Sequence, residues 1–116
     1  MPEQRRYAPG EYLFHEGDTS TTLYMLMSGE VQVIIKGRIL DLESEPGSLL
    51  GEMSFLLPKP RGASIRVTKP AEFVVIENPA VLVETQPLIL MRMAQGLARR
   101  LWNLENRVLD HVTANH

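Results

Sequence analysis

The sequence predicts a mainly β protein, a sandwich or roll of short strands followed by one long helix. Three observations predict it. Between Tyr7 and about Ile76, short apolar runs alternate with Gly or Pro at Pro9-Gly10, Gly17, Gly29, Gly37, Pro46-Gly47, Gly51, Pro58, Pro60 and Pro70, which leaves segments of strand length. Glu30 to Lys36 sets Val31, Val33 and Ile35 against Gln32, the period-two alternation of a strand with one buried face. After Pro79 the character changes: Leu88 to Val112 holds no Gly or Pro apart from Gly96 and is rich in Leu, Met, Ala, Arg and Glu.

Each element follows from these patterns. Leu23 to Met27 and Phe73 to Ile76 are apolar without alternation and read as inner strands covered on both faces. The long helix is started by Pro87, whose missing N–H costs nothing in a first turn. On that helix Leu90, Ala94, Leu97, Leu101, Leu104 and Val108 step by four and three residues, a heptad seam that fits a short parallel coiled coil between two copies. Ile89, Met93 and Trp102 form a second apolar set that is left to meet the roll, so a homodimer through the C-terminal helix is expected. The alternative is that the heptad stripe packs on its own roll. The 116 residues suit a single domain over 1–116, with the β-roll at about 7–77 and the helical part at about 79–113.

Composition excludes several classes of function. With 44% apolar and 22% charged residues the chain is of globular type. Twelve Lys and Arg against fourteen Asp and Glu give a net charge of -2, a poor footprint for direct nucleic-acid binding. Cysteine is absent, which removes disulfides, thiol catalysis and Cys-based zinc sites and allows a reducing compartment. No stretch approaches the ~20 apolar residues of a membrane span, and the arginines near the start have no apolar run behind them, so a cytoplasmic protein is expected. His15, His111 and His116 lie far apart without a ligand-pair spacing, the serines have no nearby His to serve as base, and the carboxylates show no paired arrangement. No catalytic residues and no metal ligands are expected, and the protein is read as a non-enzyme.

The stretch from Pro46 to Val67, PGSLLGEMSFLLPKPRGASIRV, carries the chemistry. It places a tight glycine turn, a carboxylate, a short apolar segment and an arginine in one compact loop. If Glu52 to Leu57 forms a short helix, its first N–H groups lack intrahelical partners and suit an anion, and Arg61 supplies a forked, permanent charge for the same group. Glu52 is acceptor-only when ionised, so it suits a sugar hydroxyl beside that anion. Anion plus hydroxyl points to a nucleotide. The plainer alternative is a Glu52–Arg61 salt bridge that closes a turn.

These residues resemble the cyclic-nucleotide-binding domain family, which includes regulatory subunits of cAMP-dependent kinases, bacterial cAMP receptor transcription factors and cyclic-nucleotide-gated channels. The family's phosphate-binding cassette runs Gly-Glu, a short apolar helix, then Pro-Arg, a small residue, Ala and Ser or Thr. Here it stands as Gly51-Glu52, Met53 to Leu57, Pro60-Arg61, Gly62 and Ala63-Ser64. Pro9-Gly10-Glu11, Phe14, Glu16-Gly17-Asp18, Leu23-Tyr24 and Ser28-Gly29 fit the family's first strands, and Pro87 to Leu101 is similar to the final helix of the bacterial receptors. The resemblance implies a double-stranded β-helix, a jelly-roll-like β-roll of about eight strands with a short cassette helix and a long C-terminal helix. It implies cAMP or cGMP as a regulatory ligand and no cofactor. Glu52 would accept from the ribose 2′-hydroxyl, Arg61 would pair with the cyclic phosphate, and Ser64 with the backbone of Met53 and Ala63 would complete the cradle around Gly51 and Gly62.

Two departures matter. The family usually carries a helical segment before the first strand, and six residues precede Tyr7 here. On the final helix the bacterial receptors present consecutive Thr and Ser to the adenine, and counting from Pro87 puts Leu104 and Glu105 there, with Leu104 or Trp102 as a candidate apolar lid. The expected function is a cyclic-nucleotide sensor, cAMP before cGMP, that moves its C-terminal helix on binding; the rival is a ligand-free dimerisation module of the same fold.

Overall fold

The chain enters its sheet through β1 (Glu3–Tyr7) and β2 (Tyr12–Phe14), then runs through β3 (Leu23–Ile35), β4 (Arg38–Glu43), β5 (Leu49–Leu50), α1 (Glu52–Leu56), β6 (Ser64–Ile76) and α2 (Pro79–Thr85). The structure, a computed structural model, describes residues 3–57, 59–88, 91, 92, 94–99, 102, 103 and 106. All pairings are antiparallel, in the order β1-β6-β3-β4, with β2 also on β6 and β5 also on β3.

The mainly β expectation holds, but the strand number differs from the expected eight. Six strands stand among the described residues because β3 and β6, 13 residues each, both run through bends and change partner on the way. The first half of β3 pairs with β5 through Tyr24 and Met25 and with the end of β6, whereas its second half pairs with β4 and with the start of β6. The bend is at Gly29, with φ 98°, where the register shifts. A Cβ there would lie 2.5 Å from the Pro70 carbonyl oxygen and 2.6 Å from Ala71, so only glycine lets the two backbones approach this closely.

Strand β1 lies before the predicted start of the roll at Tyr7. Its sequence, Glu-Gln-Arg-Arg-Tyr, shows no apolar run, and it needs none because it pairs on one side only and is mostly exposed. Arg5 bonds Glu77 and Arg6 bonds Glu72, which tie this edge to the end of β6.

The core sits between the two long strands. Leu23, Leu26, Val31, Val67, Phe73 and Val75 are the largest fully buried side chains. Phe73 meets Tyr7 and Tyr24 edge-on at centroid distances of 5.4 and 6.2 Å, the favoured arrangement for rings with a negative face and positive rim. The Tyr24 hydroxyl donates to the Leu13 carbonyl at 3.3 Å, so the buried polar end is satisfied. Between β3 and β4, Lys36 and Gly37 both take positive φ, the two-residue turn whose twist matches the flanking strands.

After α2, Gln86 breaks the helix and every described residue from Pro87 to Asn106 is helical. Of the proposed seam, Ala94 is exposed and Leu97 half-buried, while Leu90, Leu101, Leu104 and Val108 lie outside the described residues. Arg99 reaches Glu45 at 3.1 Å, so this helical stretch touches the turn between β4 and β5.

Candidate phosphate cassette

Gly51 takes φ 90°, a left-handed conformation that reverses the chain between β5 and α1. A Cβ there would lie 2.5 Å from Arg61 Nη1, 3.0 Å from the Thr22 carbonyl oxygen and 3.3 Å from Phe14 Cε2. Glycine is therefore required twice over, by its dihedral and by the guanidinium packed against it. α1 follows at once, one residue shorter than expected, with Leu57 already extended and its N–H donating to the Met53 carbonyl. Glu52 opens the helix, where the aligned peptide dipoles favour a negative charge.

Arg61 is held from all sides. Its backbone N–H donates to the Asp18 carbonyl at 2.7 Å and its carbonyl accepts from the Gly17 N–H at 2.8 Å. Its side chain donates through Nη1 to the Gly51 carbonyl at 2.8 Å and through Nη2 to the Thr22 carbonyl at 2.7 Å. Nε and Nη2 donate to Ser20 Oγ at 3.3 and 3.2 Å, and the guanidinium carbon stands 4.0 Å over the Phe14 ring. Burial pushes its pKa down, against the opposing pull of Tyr24, Asp18 and Glu52, yet a guanidinium starts so high that it stays cationic. Arg61 is 3% exposed and Glu52 2%, so two opposite charges of this loop have been taken out of water.

Above this pair lies a cavity of about 400 Å³, within the range of roughly 300–1,000 Å³ usual for small-molecule sites. Gly51, Glu52, Met53, Arg61, Gly62 and Ala63 all line it, so the structure brings six of the nine sequence-predicted residues together. Ser64 does not line it: its Oγ accepts from the Glu16 N–H at 2.8 Å, which fastens the start of β6 to the loop after β2. Trp102 is 63% exposed and does not line the cavity either, since its helical stretch lies against the turn after β4. Leu104 lies outside the described residues.

Sequence reasoning missed five residues here. Phe14 at the end of β2, with Ser20 and Thr22 in the loop that follows, holds the arginine, and nothing in the run Asp-Thr-Ser-Thr-Thr distinguishes a hydroxyl that braces a guanidinium from one in water. Asp41 and Glu43 line the opposite wall with Val33 and Ile35. Their signal was readable: acids at alternate positions of a strand occupy one face.

Residues 4–83 match the model of the cyclic nucleotide-binding domain. The chain is 34% identical over 106 residues to the Cyclic AMP receptor protein of Thermus thermophilus, covering 85% of this chain and 49% of that protein. It is 34% identical over 98 residues to a cAMP-dependent protein kinase regulatory subunit of Hypocrea atroviridis, covering 84% of this chain and 20% of that protein. It thus spans about half of the first relative and a fifth of the second. The crystal structure of a cyclic nucleotide-binding domain from Methylobacillus flagellatus superposes with a TM-score of 0.81 at 28% identity, over 95% of this chain and 67% of that one. With the family model covering most of the roll and the cassette folded at its predicted place, the chain belongs to the cyclic nucleotide-binding domain family.

Proposed function

We propose that the chain binds a 3′,5′-cyclic mononucleotide as a regulatory signal and does no chemistry on it, in keeping with a regulatory family. The observation that carries the reading is that a buried carboxylate, Glu52, and a buried guanidinium, Arg61, both line the cavity. Buried charges are poor stabilisers compared with apolar residues of the same volume, so two of opposite sign at the wall of a cavity argue for use. Arg61 has five N–H donors, and the contacts to Gly51, Thr22 and Ser20 occupy four, which leaves one on Nη1 for a phosphate oxygen. Glu52 accepts from the ribose 2′-hydroxyl, and the base lies toward Val33 and Ile35.

Gly62 offers no side-chain acceptor for a guanine amino group beside the cassette arginine, so cAMP is preferred to cGMP by about tenfold, or ~1.4 kcal/mol. The names of both relatives, a cyclic AMP receptor and a cAMP-dependent kinase subunit, support that order. The output is a shift of the C-terminal helix, and the Arg99–Glu45 contact gives a route, since Glu45 sits in the turn that leads through β5 to Gly51. A homodimer through that helix, in the cytoplasm, completes the reading.

Calorimetric titration of the purified chain with cAMP and with cGMP at neutral pH tests this. Saturable heat with cAMP tighter supports the sensor; no heat with either ligand leaves the dimerisation module in its place.

A further inference from the structure

Strand β4 inverts the ordinary pattern of a β-roll. Asp41 and Glu43 line the cavity, whereas Leu42 between them is 52% exposed. In a roll the inward face is normally apolar, and a strand that breaks the rule toward a ligand cavity marks a functional position. The break is built into the backbone: the register slips between Val33 and Ile34, where Val33 faces Asp41 and Ile34 faces Ile39, so Leu40 is an extra residue opposite no partner. Such a bulge re-aims the side chains beside it.

The two acids are not equivalent. Glu43 Oε1 accepts from Ser48 Oγ, which commits it to bracing the turn toward β5. Asp41 is bonded by the Leu42 N–H to its Oδ1 at 2.9 Å, and no contact is recorded for its Oδ2 among the described residues. The anionic end of a ligand is fixed by Arg61 on the cassette wall, while Asp41 stands on the β4 wall of the same cavity. A carboxylate accepts hydrogen bonds and donates none, so the ligand end that reaches it must present N–H groups.

We infer that Asp41 is a specificity-determining residue that accepts a hydrogen bond from the exocyclic amino group of the bound base. The inference deepens the proposed cyclic-nucleotide reading and rests on it. An amino group on a purine satisfies Asp41, whereas a base with hydrogen or carbonyl oxygen at that place leaves the carboxylate unpaired or repelled. Asp41 lies at the solvent-open side of the cavity, so its contribution is that of a partly screened charged hydrogen bond.

The test is competition binding with cAMP and with purine riboside 3′,5′-cyclic phosphate, which differs from cAMP only by lacking the 6-amino group. The wild type is expected to favour cAMP by about three- to tenfold, the span of one such hydrogen bond. Asp41→Ala should bring the ratio to one by weakening cAMP while the deamino analogue binds unchanged or more tightly, and Asp41→Asn, which keeps an acceptor, should fall between. A variant that merely loosens the fold would weaken both ligands alike. An Asp41→Ala ratio equal to that of the wild type, or a wild type that fails to distinguish the two, overturns the inference while leaving the sensor intact. A wild type that binds neither compound removes the sensor reading and this one with it.

Discussion

Replacing Arg61 by alanine tests two roles at once, and the structure separates them. The guanidinium is the charged donor to the Gly51 and Thr22 carbonyls, and it lies over Phe14. Each carbonyl left without its donor costs about 1–3 kcal/mol when buried, and because both residues are only half-buried the lower end applies. The ring contact adds about 1 kcal/mol. The variant should lose about 3 kcal/mol of stability, a fall of roughly 10 °C in melting temperature for a domain of this size. Below its melting point it should also bind a cyclic nucleotide at least about tenfold more weakly, because a charge-assisted bond to the phosphate is worth roughly 1.5–3 kcal/mol.

Arg61→Lys divides these effects. Lysine keeps the charge but has a single nitrogen, which cannot span Gly51, Thr22 and Ser20 together, so stability should recover in part while affinity stays low. Thermal melts and calorimetry on the three proteins read both quantities. If Arg61→Ala melts early yet binds as the wild type does, the arginine is only the closing bridge of a turn. If it also melts as the wild type does, the hydrogen bonds described here carry no weight and the account of the cassette fails.

Other predictions follow from the same packing. Gly51→Ala should destabilise by about 2–3 kcal/mol, from left-handed strain together with the clash against Arg61 and the Thr22 carbonyl, and a melt within 0.5 kcal/mol of wild type would contradict this. Phe73→Ala should cost about 3–5 kcal/mol in chemical denaturation, since the ring is fully buried between Tyr7 and Tyr24. Burial chiefly raises the Tyr24 pKa above its ordinary 10.0, so the unfolded chain releases this proton first. Stability is then unaffected below about pH 10 and falls as pH rises from there toward the folded value, and Tyr24→Phe should flatten that alkaline slope.

How much of this was legible depends on whether the signal was local. The apolar runs of Leu23–Met27 and Phe73–Ile76 announced inner strands, and both lie within the two long strands of the core. β1 was hidden because an edge strand paired on one side needs no hydrophobic pattern, and Glu3–Tyr7 has none. In the cassette, Gly51, Glu52 and Arg61 were readable because the loop that joins them is short. Ser20 and Thr22, about 40 residues before Arg61, meet it only through the register of β3 with β6. Ser64 holds the start of β6 as well: its hydroxyl accepts from the Glu16 N–H, a contact 48 residues away in sequence that no local pattern signals, and keeps its own O–H to donate.

The number of ties the protein itself makes to Arg61 also limits how a signal can leave this domain. A ligand shifts a conformational equilibrium only by contacts that differ between the two states. Arg61 is held at four points by the protein's own groups, so its orientation does not depend on a phosphate, and that contact favours affinity more than movement. The differential must come from parts with fewer ties. α1 is a five-residue helix with no side-chain cap at its start, and Met53 on it and Leu57 just beyond it are half-exposed at the cavity. Drawing α1 toward a bound ribose through Glu52 would pull on Gly51 and on β5, a strand of two residues whose preceding turn holds Glu45. Glu45 is where Arg99 of the helical stretch attaches, at 3.1 Å. Removing that attachment with Glu45→Gln should therefore leave cAMP affinity within about twofold, as an exposed pair is worth less than about 1 kcal/mol. It should at the same time reduce the ligand-dependent change in amide exchange along residues 94–99. Equal changes in variant and wild type would place the route to the helix elsewhere.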